Sequence, residues 1–329
     1  MSKGIGRLLS VGIAKETVRG TAQVTADFWV PFMEASLEEK DSKALDEQAI
    51  GVIEGSTDEK IVKQWTEFSL KGIVGDKHFP LFLLSTFGNL TTAANPDVSG
   101  VVKDHTITVA EHAQHQSLTL FLKEPLSGQD YKHALGMVED LELNYERGKF
   151  VEYAVKMRAQ KGVATSNTVA LLTENKFLPQ YVTFKLAANQ AGLSAASPTI
   201  IKSLKLKINT NLEDDDVLGS ISPIDFLNRK FSIEGELEAI WQNETDFKNF
   251  VLAGTQKAMR IDLKNTDVII GTAARPQITI DLYKVIFSEL THPFKINDLI
   301  MQTLRFKAHY SIADAKMVSI ICTNTQANY

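Results

Sequence analysis

Cysteine is nearly absent from this sequence, since Cys322 is the only one among 329 residues. A single cysteine cannot form an intrachain disulfide, which excludes the disulfide framework of small secreted proteins. Long apolar runs are missing too: no window approaches the ~20 residues of a membrane-spanning helix, and the N-terminal segment lacks the pattern of a signal peptide. We therefore expect synthesis in a reducing cytoplasm and no membrane partner.

A surplus of positive charge is also lacking. The formal net charge is −5, and the acidic excess lies in the first half of the chain. Proteins that bind nucleic acid through its phosphates need a basic patch. The composition therefore argues against a nucleic-acid-binding protein of this kind. Apolar residues make up 44% and charged residues 23%, which is ordinary for a globular protein with a substantial core.

Patterns that carry chemistry are absent as well. His112 and His115 have the spacing of a zinc pair, but a zinc site needs more ligands, so we predict an exposed loop or strand end for them instead. Gly4-Ile5-Gly6 lacks the third glycine and the preceding strand of a dinucleotide motif, and no G-x-S-x-G elbow occurs. Cys322 lies in an apolar segment and favours packing. We predict no enzyme activity, no cofactor and no metal site.

Alternation of apolar and polar residues is abundant. Apolar residues alternate with Lys205 and Lys207 in one stretch, and with Glu234 and Glu236 in another. A period of two with one apolar face predicts an antiparallel sheet with one solvated side. If these two strands pair, the lysines lie near the glutamates, and each such cross-strand pair contributes roughly 0.2–1 kcal/mol.

A weak internal repeat organises the chain. Phe68–Gly72 matches Phe231–Gly235, and each copy precedes a predicted helix, from Asp76 to Asn89 and from Asn243 to Thr255. Four further short matches follow the same order: Ser36-Leu37 with Ser203-Leu204, Ala44–Gly51 with Asn211–Gly219, Ser117–Leu120 with Gln277–Ile280, and Tyr153–Lys156 with Thr303–Phe306. We predict two tandem domains, residues 1–165 and 166–329, joined near residues 162–169.

Each predicted domain reads as strand, long polar loop, strand, helix, strand and strand. This order predicts a mainly β fold, a β-sandwich or half-barrel with one flanking α-helix per domain. One helix cannot cover such sheets on every side, so sheet edges stay exposed, and exposed edges are natural sites for pairing with another chain.

Three segments near the N-terminus carry a recognisable pattern: GIAKETVRGTA from Gly12 to Ala22, FWVPF from Phe28 to Phe32, and ASLEEKD from Ala35 to Asp41. They resemble the major tail tube proteins of long-tailed (siphovirus-like) bacteriophages. In that family a G-x-x-x-E-x-x-x-G-T run precedes the first strand, and a later strand leads into a short helix ending in glycine, here Gly88. The letters resemble the family over about the first ninety residues, and the pattern over most of the chain.

The resemblance implies a structural subunit of the virion tail that is assembled in the host cytoplasm. Rings of six domains stack into a hollow tube that conducts the genome, so a chain with two copies implies a trimeric ring with pseudo-sixfold symmetry. The implied partners are other copies of the chain, the tape-measure protein, and the tail terminator and distal tail proteins. Double-stranded DNA passes through the lumen without specific binding.

The resemblance also implies where rings meet. The long loop between the first two strands of each copy, residues 41–60 and 209–225, contacts the next ring, and the N-terminal arm, residues 1–26, reaches a neighbour. A solvated loop is the plain alternative. The acidic run Glu213–Asp216 lacks the ligand spacing of a calcium loop. The inter-ring candidates are Asp41, Asp46, Glu47, Glu54, Asp58, Glu213, Asp214, Asp215 and Asp216.

Candidates for the lumen face come from the polar positions of the predicted strands. They are Glu67, Lys71, Lys205, Lys207, Glu234 and Glu236. Alternative functions are another ring-forming β protein, such as a secretion-tube or tail-terminator subunit, a surface- or carbohydrate-binding β-sandwich module, and an enzyme of unrecognised type.

Overall fold

The alternating segments fold into antiparallel strands along the whole chain, so the mainly β prediction is confirmed. The computed structural model describes residues 4–125, 128–241, 247–291, 296 and 299–329. Within these residues, no helix is both long and apolar enough to span a bilayer.

Strand and helix bounds are as follows: β1 (Ser10–Lys15), β2 (Phe28–Val30), β3 (Glu34–Asp46), β4 (Asp58–Ile73), α1 (Phe79–Phe87), β5 (Gly88–Ala94), β6 (Lys103–Val109), β7 (Leu118–Lys123), β8 (Asp130–Glu146), β9 (Glu152–Ala159), β10 (Val163–Thr165), β11 (Val182–Ala187), β12 (Ser203–Asn209), β13 (Leu212–Asp215), β14 (Asp225–Asn228), β15 (Ser232–Ile240), α2 (Lys248–Leu252), β16 (Lys257–Lys264), β17 (Gln277–Thr291), β18 (Met301–His309) and β19 (Val318–Asn324). Short 3₁₀ turns occupy Gly6–Leu8, Pro179–Tyr181 and Gln190–Gly192.

Eight strands form one antiparallel sheet, called the central sheet here, in the order β3-β4-β9-β8-β12-β15-β18-β17. The first half of the chain supplies β3-β4-β9-β8, and the second half supplies β12-β15-β18-β17. The halves meet where β8 pairs with β12, from Glu146 opposite Ser203 to Asp140 opposite Asn209. Each half therefore contributes four strands in the same order.

Two further sheets form the second layer. One is ordered β2-β1-β7-β8-β10 and the other β11-β16-β17-β19-β6-β5. The long strands β8 and β17 belong to both layers. In β8 the change of layer lies at a register irregularity beside Leu135, a residue of positive φ, and in β17 it lies at the irregularity opposite Lys257 and Met259. Such irregularities bend strands, so apolar faces of both layers meet around one core.

Helix α1 lies inside this core. All nine of its residues are buried, as expected for a helix that is apolar all round, and Phe79 and Phe82 contact the ring of Tyr153. Gly88 ends it in the left-handed conformation at φ 86°, where glycine is favoured. The predicted second helix is shorter than expected, because α2 covers only Lys248–Leu252; residues 243–246 of that prediction lie outside the described residues.

The letter matches behind the repeat do not agree with the strand pairing. Leu37 pairs with Phe68, and Leu204 pairs with Leu237. If Leu37 is equivalent to Leu204, their cross-strand partners Phe68 and Leu237 must also be equivalent. The letter match instead aligns Phe68 with Phe231. Similarly, β7 lies between β1 and β8, whereas the matched Gln277–Ile280 segment lies between β16 and β19. Strand order recurs between the halves, while the short letter matches do not mark equivalent positions.

The N-terminal segment also differs from expectation. The glycine- and glutamate-containing run begins inside a strand rather than before one, because Gly12 lies in β1. That strand pairs with β2 and β7 and is largely buried, so residues 10–15 are part of the chain's own fold and not of a free arm. A side chain at Gly12 would lie 2.9 Å from the Cβ of Ala26, which explains the glycine.

Candidate functional site

One face of the central sheet is mostly polar, and we call it the charged face. In β4, Glu67 and Lys71 alternate with the buried Phe68 and Leu70. The same alternation places the four other predicted lumen residues on this face: Lys205, Lys207, Glu234 and Glu236. The structure therefore brings all six candidates onto one surface, opposite the core.

Positive and negative charges alternate from strand to strand across this face. Lys205 and Lys207 lie directly opposite Glu236 and Glu234, as predicted. Closer ion pairs join these residues to β8 and β18, neighbours that alternation alone does not predict. The Nζ–carboxylate distances are 2.9 Å for Lys205–Glu142 and 3.7 Å for Lys207–Asp140, and Lys307 and Arg305 lie 2.6 and 3.1 Å from Glu234 and Glu236.

These contacts lower the pKa of two of the carboxylates, Glu234 and Glu142. The hydrogen bond from Lys307 lowers the pKa of Glu234 below its usual value. Partial burial acts to raise the pKa of Glu142, but hydrogen bonds from Lys205 and Asn144 outweigh it and lower the pKa. At neutral pH the charged face therefore presents paired opposite charges instead of a field of one sign.

The β3–β4 hairpin extends beyond the central sheet. β4 pairs with β9 only from Thr66 to Ile73, whereas residues 58–65 pair with β3 alone. Eight residues at ~3.3 Å each give a projection of roughly 26 Å, and residues 47–57 form its tip. We call residues 41–65 the projecting hairpin. The predicted loop at 41–60 is thus partly strand, since residues 41–46 and 58–60 belong to β3 and β4.

The inter-ring candidates of the first half lie along this hairpin. Asp41 and Asp46 lie in β3, Asp58 in β4, and Glu47 and Glu54 in the tip. The tip also exposes apolar side chains that the sequence analysis had not singled out: Ile50, Val52 and Ile53.

The corresponding segment of the second half, residues 210–231, behaves differently, and we call it the strap. It contains the small β13–β14 sheet and folds against the first half. Lys63 Nζ lies 2.7 Å from Asp214 and 2.5 Å from Asp216, and Arg158 lies 3.0 Å from Asp214.

Further contacts fix the strap along its length. The Arg19 guanidinium binds Asp225 through Nε at 2.8 Å and donates to the Phe226 carbonyl at 2.9 Å. The backbone N–H of Gln64 donates to the Ile221 carbonyl at 2.6 Å. Asp214 thus has ion-pair partners within its own chain, and its assignment as an inter-ring contact stays a prediction. Asp216 also pairs with Lys63. Glu213 is exposed and pairs with Arg229, and Asp215 is half-buried in β13.

The exposed position predicted for the histidine pair is found for His112 but is wrong for His115. His115 is buried, and its Nδ1 and Nε2 lie 2.8 and 3.0 Å from the carbonyl oxygens of Thr86 and Ala110. Across the described ranges, no group of three or more His, Cys, Asp or Glu side chains is arranged to hold a metal ion.

Both ends of the central sheet are open. Among the described strands, β3 pairs on one side only, with β4, and residues 286–291 of β17 pair only with β18. Unpaired backbone on an edge strand is a template for a strand of another chain.

Comparison with known proteins bears on these surfaces. A family model described as phage tail tube protein matches residues 6–308. The match spans the central sheet, the projecting hairpin and the strap. No curated protein sequence matches the chain.

Proposed function

The chain belongs to the phage tail tube protein family and is a structural subunit of the tail, and from this premise we propose that three copies close into a ring. Each copy supplies two tandem domains, residues 1–165 and 166–329. The ring then has six domain positions, and stacked rings form a tube.

The joint between β8 and β12 carries this proposal. It already unites two four-stranded units of the same order within one chain. The open strands, β17 at one end and β3 at the other, occupy the places that β8 and β12 take in the two units. When β17 of one chain pairs with β3 of the next in the same way, the sheet continues from chain to chain. Eight strands from each of three chains then close it into a barrel without edges.

The charged face lines the lumen in this arrangement, because the opposite face is buried in the core. Duplex DNA carries one negative charge per ~1.7 Å of axis. On this wall Lys205, Lys207, Arg305 and Lys307 are already paired with carboxylates, so they are not free to neutralise DNA phosphates. The genome therefore passes without specific binding, and the role is structural rather than enzymatic.

The projecting hairpin points along the strands, away from the ring plane, and contacts the next ring. The tape-measure protein, inside the growing tube, and the terminator and distal tail proteins, at its ends, complete the set of partners. Assembly takes place in the host cytoplasm.

Chemical cross-linking tests the ring. Ser36 in β3 and Ser288 in β17 are both replaced by cysteine, and the assembled protein is treated with a flexible bismaleimide. Cys322 is buried and does not interfere. Denaturing gels should show a ladder that ends at three chains. Ser36→Cys with Ser69→Cys, which pair within one chain, is the matched control and should give monomers. A ladder beyond three, or no interchain product, would contradict the trimer.

A further inference from the structure

We propose that the tip of the projecting hairpin docks in an apolar groove at the opposite end of a chain in the adjacent ring. This inference rests on the proposed stacking of rings and names the surface that receives the hairpin. The occupant is a second copy of this chain.

The groove lies where the two halves meet, between the β8–β9 turn, the approach to β11 and the segment before β12. Its volume is about 820 Å³. Leu178, Pro179 and Ile200 give it an apolar floor and wall, and Ile200 is 72% exposed. An apolar groove of this kind can bury the apolar side chains of another chain.

Strand register places the groove and the hairpin tip at opposite ends of the same sheet. The tip closes beyond the pair of Asp46 and Asp58, and β4 runs from there to Ile73, opposite Glu152. The turn that precedes Glu152 and the start of β12 form the groove. A contact between opposite ends is heterologous and does not close, so it extends as a filament.

The hairpin tip and the groove are both apolar and carry opposite charges. The tip presents Ile50, Val52 and Ile53, which are 64%, 55% and 101% exposed. The stretch from Asp46 to Glu59 contains five carboxylates and neither lysine nor arginine.

The groove carries the opposite sign. Arg147, Lys149 and Lys202 line it, with Glu146 as its one acidic residue. Lys149 lies 2.8 Å from Glu146, which leaves Arg147 and Lys202 to face an incoming acidic tip.

A second groove at the same end of the first half is the competing receptor. It lies beside Trp29, Pro31 and Leu171, and Arg7 is the only charged residue that lines it. Charge therefore favours the groove at Ile200. Because the strap is folded against its own chain, each chain offers one hairpin to one such groove, and a ring of three chains makes three equivalent docking contacts.

Two sets of variants test the proposal on the full chain. Ile53→Cys with Ile200→Cys should form disulfide-linked chains across rings on oxidation, whereas Ile53→Cys with Leu171→Cys should not. Each single variant is a control. Cross-linking through Leu171 instead of Ile200 would overturn the assignment.

Charge reversal provides the second readout. Arg147→Glu with Lys202→Glu should leave rings intact and abolish tubes in electron micrographs, and Glu47→Lys with Glu54→Lys in the same chain should restore them. Lys264→Glu, on another sheet, is the matched control. Tubes that grow normally despite the reversal would contradict the docking contact. Absence of rings from the unmodified protein would instead refute the proposed function.

Discussion

At the scale of single residues, Glu16 shows what the N-terminal family pattern does. Its carboxylate is buried and accepts hydrogen bonds from Ser117 Oγ at 2.6 Å, Thr119 Oγ at 3.1 Å, and the backbone N–H groups of Gly20 and Leu135, both at 2.8 Å. The side chain thus joins the end of β1 to β7 and to the bend in β8. The pattern serves the fold, and it lies away from the charged face.

Replacing Glu16 with glutamine should destabilise the chain. One acceptor oxygen becomes an NH₂ group that faces donors, and a buried mismatch of this kind costs roughly 1–3 kcal/mol. Urea unfolding of the unassembled protein measures the change in unfolding free energy. Glu111→Gln, at an exposed position, is the control and should have little effect; equal stability of the two variants would refute the buried role.

At the scale of elements, alternation predicted which face each strand presents, because side chains alternate strictly along a strand. The lumen candidates of β4, β12 and β15 consequently share one face. Alternation does not specify which strand lies beside which, since partners are chosen by tertiary packing. The ion pairs to Asp140 and Glu142 were missed for that reason, although β8 carries the same alternating signal.

The projecting hairpin and the strap show the same limit. Both were predicted as equivalent polar loops, since polar composition and position between two strands were all that the sequence provided. Only the structure shows that Lys63 and Arg158 hold Asp214. Whether a segment projects or folds back depends on contacts with residues more than fifty positions away in the chain.

Reversing the charge of Lys63 should release the strap. Lys63→Glu removes two ion pairs to a partly buried Asp214 and to Asp216, and opposes both carboxylates with a like charge. Hydrogen exchange in β13 and β14 should accelerate, while exchange in β12 and β15 should stay slow. Lys60→Glu, whose partner Asp58 lies within the hairpin, is the control; unchanged exchange in Lys63→Glu would show that the backbone contacts alone hold the strap.

At the scale of the whole molecule, one chain builds two four-stranded units and joins them edge to edge. The joined sheet has a projecting hairpin at one pole and an apolar groove lined by basic residues at the other, and among the described strands it leaves β3 and the end of β17 unpaired on one side. In the proposed assembly, the sheet edges close the ring and the two poles join one ring to the next.

Cryo-electron microscopy of tubes assembled from the purified chain tests the central claim most directly. We predict rings of three chains with six domain positions, a continuous inner barrel in which β17 of one chain pairs with β3 of the next, and the charged face of Lys205, Lys207, Glu234 and Glu236 toward the lumen. Rings of six chains, or a barrel that turns this face outward, would contradict the account.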